Sequence, residues 1–195
     1  MKAIILLGTL KKTGQSNTEV LCKFFIKKLA GKNIDSEIIK LVDYKILPGT
    51  YSDMGGGDEW PTILDKIIAA DIIIFATPVW WGSHSSEMQR VIERLDELQD
   101  EIIKGQTSRL DGKRGGIIIT GDSDGAQHII GTIANFYNAL GITLPPYASL
   151  SVLSETQGKG KTPTPEELIE TYEKDYAATA KKMIEQLIQS LEEKS

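Results

Sequence analysis

The sequence holds a single cysteine, Cys22, among 195 residues. One thiol closes no disulfide within the chain, and no CxxC pair or Cys/His cluster offers a metal site. Cys22 falls inside an amphipathic pattern, so a small core residue is expected there rather than a reactive thiol. Long apolar runs are also missing. None approaches the ~20 residues that a membrane-crossing helix needs. The N-terminus leads straight into a strand pattern, without the apolar stretch and cleavage site of a secretory leader. A cytoplasmic location with no membrane partner is therefore expected. Positive charge is in short supply: 22 Lys and Arg stand against 27 Asp and Glu, a net charge of −5. That balance gives a nucleic-acid partner no electrostatic support.

What is present is a regular alternation. Ala3–Leu7, Ile72–Ala76 and Ile117–Ile119 are short, β-branched and almost wholly apolar, which predicts strands buried on both faces. Ile34–Leu41 alternates in part and suits a strand near an edge, and Leu150–Leu153 follows a Pro-rich turn. Between them run helical stripes. One joins Val20, Leu21, Phe24, Phe25 and Leu29, and a second Met88, Val91, Ile92, Leu95 and Leu98. A third joins Ile129, Ile130, Ile133, Phe136, Tyr137 and Leu140, and a last helix runs from Leu168 through Tyr172, Tyr176, Ala180, Met183 and Leu187 to Leu191. Thr164-Pro165-Glu166-Glu167 opens that helix with a capping box. A shorter helix spans Trp60–Ala70. Strands alternating with helices predict one doubly wound α/β domain over residues 1–195, a flavodoxin-like three-layer sandwich around a five-stranded parallel sheet in the order 2-1-3-4-5. Asp43–Glu59 and Ser154–Pro163 are left as loops, and the first is long enough to suggest a function.

In such a sheet, ligands bind at the carboxyl ends of the strands, where the strand order reverses. The stretch GTLKKTGQSNTEV, Gly8–Val20, sits at the end of the first strand. The helix that follows aims its free N–H groups and positive dipole end there. Thr9, Ser16 and Thr18 add hydroxyls, Asn17 an amide and Lys11 a positive charge. A Ser16/Glu19 capping box alone would not require so long a polar insertion. The composition predicts a phosphate cradle. The stretch lacks GxxxxGK[ST], because five residues separate Gly8 from Gly14 and Gln15 stands in the lysine's place; GxGxxG is absent too. A single terminal phosphate, such as that of FMN, is the better fit.

The third strand runs into ATPVWWGSHSSEM, Ala76–Met88. Pro78 fixes the backbone, and Gly82 permits close approach or positive φ. Trp80 and Trp81 are placed either to stack near a planar ligand or to pack into a core or interface. Ser83, Ser85 or Ser86 caps the next helix, and His84 lies beside the supposed ring site. The fourth strand runs into TGDSDGAQ, Thr120–Gln127, where Gly121 and Gly125 allow tight turns and free backbone groups could bond a heteroaromatic edge. Asp122 and Asp124 read as turn and N-cap residues, and His128 as structural.

Together these residues resemble the NADPH-dependent FMN reductase family of flavodoxin-like proteins. The resemblance rests on strand-GT-x-K…SNT-helix, on TPVWWGSHSSEMQRVIERLD (Thr77–Asp96) and on TGDSDG, and it covers Met1 to about Leu153. It implies an FMN phosphate held by Thr9, Lys11, Ser16, Asn17 and Thr18. It also implies a ring lying along Pro78, Val79, Trp80, Trp81 and Gly82, with Thr120, Gly121, Asp122 and Gly125 on another side. The implied activity is hydride transfer from NAD(P)H to flavin N5, then electron transfer to a flavin, quinone or other small acceptor. No side chain need act as acid or base, because the cofactor carries the chemistry. Homodimers or homotetramers, in which a neighbour completes the pocket, are implied as well. The first loop is longer than in many relatives, Trp80 replaces the commoner Tyr, and His84 stands where Pro is frequent. Related iron–sulfur flavoproteins carry a cysteine cluster after the second strand; this chain has none, which excludes such a cluster. Two other readings stay open: a flavodoxin-type electron carrier, and a non-enzymatic flavin-binding sensor on the same fold.

Overall fold

The computed structural model describes residues 1–121, 124–153 and 162–192. Its strands are β1 Lys2–Leu7, β2 Asp35–Lys40, β3 Ile72–Pro78, β4 Arg114–Gly121 and β5 Ser149–Leu153. All pair in parallel, in the order β2-β1-β3-β4-β5 that the alternation predicts. β1, β3 and β4 lie inside the sheet and are covered on both faces, so their runs are continuously apolar. β2 lies at an edge, where only Ile39 is fully buried, and its pattern is correspondingly mixed.

Helix α1 (Asn17–Ala30) and the C-terminal helices α6 (Pro165–Thr171) and α7 (Ala177–Glu192) cover one face, through Phe24, Phe25, Tyr172 and Met183. α2 (Trp60–Ala69), α3 (Ser86–Arg94), α4 (Glu97–Ile103) and α5 (Ala126–Ala139) cover the other, through Trp60, Met88 and Tyr137 packed around Phe75 of β3. Cys22 is fully buried in the first layer, and burial pushes its thiol up, away from thiolate chemistry. No described helix is long and apolar enough to cross a membrane.

Three elements differ from the sequence pattern. β4 starts at Arg114, ahead of the apolar run, because Gly115 makes room for Tyr137. A Cβ on Gly115 would lie 2.4 Å from that ring, whose hydroxyl donates to the carbonyls of Gly116 (3.0 Å) and Ile73 (3.3 Å). Arg114 is itself buried, with its guanidinium turned to Ser190 of α7. The stripe from Met88 to Leu98 is two helices rather than one. Bonds from Leu95, Asp96, Leu98 and Gln99 to the third residue back tighten the chain between them. The last helix contains a π turn at Tyr172–Tyr176. Successive steps of four along Leu168, Tyr172, Tyr176 and Ala180 outrun the 3.6-residue turn, and the wider π turn takes up the surplus. The box at its start is complete: Thr164 N–H donates to Glu167 Oε2 (2.8 Å), and Glu167 N–H to Thr164 Oγ1 (3.3 Å).

The strand order reverses around β1, whose neighbours are β2 and β3. Leu7 stands opposite Ala76, and Pro78 opposite Thr120, so the ends of β1, β3 and β4 lie side by side.

Candidate functional site

The site begins where β1 ends. Gly8 N–H donates to Ala76 O at 2.7 Å, so the chain leaves the sheet still paired to β3. Thr9 and Ser16 are buried, while Lys11–Gly14 are exposed. Lys11 Nζ donates to Gln15 O (2.9 Å) and Lys40 Nζ to Lys12 O (3.2 Å), which ties down two carbonyls of the loop. The Ser16 hydroxyl accepts Glu19 N–H at 3.3 Å and caps α1. The expected box is only half formed, because the Glu19 carboxylate is drawn to Lys23 (2.6 Å) and Lys40 (3.0 Å). The first helical bond runs from Val20 N–H to Ser16 O, so the N–H groups of Asn17 and Thr18 have no helical partner. Ser16 and Thr9, which accepts Lys11 N–H at 3.2 Å, each keep a hydroxyl hydrogen for another acceptor.

Thr18 lies deeper. Its Oγ1 is 2.6 Å from Thr120 Oγ1, and both residues are buried. Two hydroxyls that share one bond hold one hydrogen in reserve. The pair also fastens the start of α1 to the end of β4, a link that no sequence pattern announces.

Val79 N–H donates to Thr120 O (2.8 Å) and carries the β3 pairing one residue onward. Trp80 and Ser83 then exchange both backbone bonds, at 2.7 and 2.9 Å, around Trp81 (φ 48°) and Gly82 (φ 75°). Such a turn needs two left-handed central residues. Glycine adopts that conformation freely, whereas an indole-bearing residue is strained in it. The result is display: Trp80 is half exposed and Trp81 stands fully in solvent, while the tryptophan of the core is Trp60.

Gly125 (φ 147°) faces this turn, and a Cβ there would lie 2.7 Å from Gly82 Cα. A Cβ on Gly121 would come 2.8 Å from that of Val79. These glycines therefore let the β4–α5 connection approach residues 79–82. Gly125, not Asp124, occupies the N-cap of α5, with no side-chain cap. Gly125→Ala is expected to destabilise the fold by about 2–3 kcal/mol through strain and this clash, as urea unfolding would measure. Asp122 lies outside the described residues.

The three strand ends enclose a cleft of about 630 Å³. Thr9, Lys11, Ser16, Asn17 and Thr18 line one part; Pro78, Val79, Trp80 and Trp81 a second; Thr120 and Gly121 a third. Gly82 and Gly125 pack against each other and are not among the residues that line it. Leu10, Thr162 and Pro163 line it as well, although none was expected there. Leu10 is an apolar residue in a polar loop, which was its only signal. Thr162 and Pro163 arrive through packing of the C-terminal helices, which leaves no local mark. His84 turns to α3 instead, with Nε2 2.7 Å from Gln89 Oε1. Ser85 is the cap of α3, accepting Met88 N–H at 3.2 Å, and His128 is exposed on α5.

Residues 43–59 are not part of the described lining. Their anchor is Arg94 of α3, which is fully buried. It donates to Leu47 O (2.7 Å) and Tyr51 O (3.0 Å), pairs with Asp58 at 2.7 Å and lies over the Trp60 ring. Asp58 also accepts N–H groups of Leu47, Met54 and Trp60. Burial alone would raise the Asp58 carboxyl; Arg94 and those N–H groups outweigh it and hold it down at about 2.

A family model described as NADPH-dependent FMN reductase matches residues 1–156. The 8-demethyl-8-aminoriboflavin-5'-phosphate synthase of Streptomyces davaonensis is 33% identical over 161 residues, covering 76% of this chain and 62% of that protein. The divalent metal cation transporter MntH of Mycobacterium bovis is 29% identical over 160 residues, 80% of this chain and 23% of that protein. The chain thus spans less than two thirds of the length of either relative. The FMN-dependent NADPH-azoreductase of Staphylococcus haemolyticus is 27% identical over 150 residues, 74% of each chain. A crystal structure of RosB with bound 8-demethyl-8-formylriboflavin-5'-phosphate shares the fold, with a TM-score of 0.76 at 24% identity over 99% of this chain and 79% of that one. With its five-stranded order and a match over residues 1–156, this chain belongs to the NADPH-dependent FMN reductase family.

Proposed function

We propose that the protein is an FMN-binding oxidoreductase that takes electrons from NAD(P)H and passes them to a small-molecule acceptor, a flavin, a quinone or another. One observation carries this reading. The N–H groups of Asn17 and Thr18, which have no partner among the described residues, and the hydroxyls of Thr9 and Ser16 belong to the same cleft as Val79 and Trp80. One end of the cleft thus suits a dianion and the other a flat apolar ring. Its volume of about 630 Å³ is ample for a mononucleotide.

In this reading Thr9, Lys11, Ser16, Asn17 and Thr18 hold the phosphate. Pro78, Val79, Trp80 and Trp81, with Thr120 and Gly121 alongside them, border the ring; Gly82, Asp122 and Gly125 are assigned there from the resemblance alone. FMN, when bound, supplies the hydride-accepting group, and the chain's own residues bind it, orient it and shield it. The relatives named as an FMN-dependent NADPH-azoreductase and an 8-demethyl-8-aminoriboflavin-5'-phosphate synthase support a flavin ligand. Residues 1–195 act as one domain, in the cytoplasm. An indole as exposed as that of Trp81, at the rim of the cleft, favours a neighbouring copy in a homodimer or homotetramer.

The test is an anaerobic titration of the FMN-loaded protein with NADPH, then NADH. Stoichiometric bleaching of the oxidised flavin by either is the expected outcome. A flavin that binds and stays oxidised would support an electron carrier instead.

A further inference from the structure

We propose that Gln15 is a positioning residue of this cleft: its amide fastens the segment beyond the family match to the first turn, and it sets the sense of the Asn17 amide. This builds on the FMN reading above. Gln15 is half-buried between the turn and α1. Its Nε2 donates to Pro163 O at 2.7 Å, across 148 positions of sequence, and to Asn17 Oδ1 at 3.3 Å.

The first bond makes a wall. Thr162 and Pro163 line the cleft beside the phosphate-binding residues. On one side they run into Thr164, whose complete capping box starts α6, and α6 is seated in the core through Leu168. On the other side, among the described residues, the Gln15 amide is their hydrogen bond to the first turn. Proline has a fixed φ, so holding its carbonyl holds the segment's course.

The second bond sets polarity. A backbone carbonyl can only accept, so Gln15 must turn its nitrogen to Pro163. Asn17 must then turn its oxygen to Gln15, which leaves the Asn17 Nδ2 hydrogens for an anion in the cleft. A glutamate at position 15 keeps the length and removes the donor. It would repel Pro163 O and release Asn17 to present its oxygen to the phosphate.

The experiment compares wild type with Gln15→Glu and Gln15→Leu. FMN release is followed by recovery of flavin fluorescence on dilution, and hydrogen exchange of the Thr164 and Glu167 amides is followed in the FMN-free proteins. FMN release about tenfold faster in Gln15→Glu, an association rate within about twofold of wild type, and faster exchange at both amides are expected. Thermal melts report folding, and Gln15→Leu carries the test if the glutamate variant does not fold. A wild-type release rate in a folded variant overturns the positioning role. Unchanged exchange overturns the fastening. If wild type binds no FMN, the functional reading fails, and exchange in the FMN-free proteins still decides whether Gln15 ties down the segment.

Discussion

Ser16→Asp is expected to lower FMN affinity by at least about a hundredfold while leaving the fold intact. The two halves of that expectation have separate causes. Aspartate is as good an N-cap as serine, can accept the Glu19 N–H in the same way, and interacts well with a helix N-terminus. Stability should therefore change by less than about 0.5 kcal/mol. Ser16, however, is buried and lines the cleft. A carboxylate there removes a hydroxyl donor and sets a charge beside a dianionic phosphate. Two like charges about 4 Å apart repel by roughly 4 kcal/mol at an effective dielectric constant near 20, which exceeds a hundredfold change. Flavin fluorescence quenching and a thermal melt of the same sample read both halves. Retained affinity in a folded variant would place the phosphate elsewhere.

Asp58→Asn is expected to destabilise the protein by about 3–5 kcal/mol. The ion pair with Arg94 has both side chains fully shielded from solvent. An amide in place of the carboxylate removes the countercharge and leaves the guanidinium buried among neutral partners, the carbonyls of Leu47 and Tyr51 and the face of Trp60 among them. Urea unfolding measures the loss. FMN affinity should change little, because residues 43–59 are not part of the described lining of the cleft. The same pair makes an acid prediction. The folded carboxyl sits at about 2, against about 4 in an unfolded chain, so it releases its proton more readily when folded. Its contribution is present in full above pH ~4 and is lost as pH falls from there toward 2. The Asp58→Asn variant should lack that part of the pH dependence.

What the sequence made legible, and what it hid, follows from the range of the contacts. β1 and β3 are apolar throughout because each is covered on both faces, so their signal is local. The turns after β1, β3 and β4 could be located for the same reason, since each begins where an apolar run stops. The first half of β4 was hidden because Gly115 answers to the Tyr137 ring on a later helix. Arg94 carries a charge on a helix that reads as amphipathic, yet it lies three residues from Val91 on the same stripe, the one clue that it faces inward. The Thr18–Thr120 pair and the approach of Pro163 to Gln15 depend on chain segments more than a hundred residues apart. No periodicity or motif reports such contacts. The tryptophans were the other open point. Sequence alone left stacking and core packing both possible, and the left-handed backbone at Trp81, which decides for exposure, belongs to the turn rather than to the residue type.

The central claim is that the turn after β1 grips a flavin phosphate. A crystal structure of the protein grown with FMN tests it most directly. The predicted result is a phosphate within hydrogen-bond distance of the Asn17 and Thr18 N–H groups and Ser16 Oγ, with the ring against the cleft wall that Val79, Trp80, Thr120 and Gly121 form. A phosphate held by another loop, or a ring seated where the phosphate should be, would contradict it.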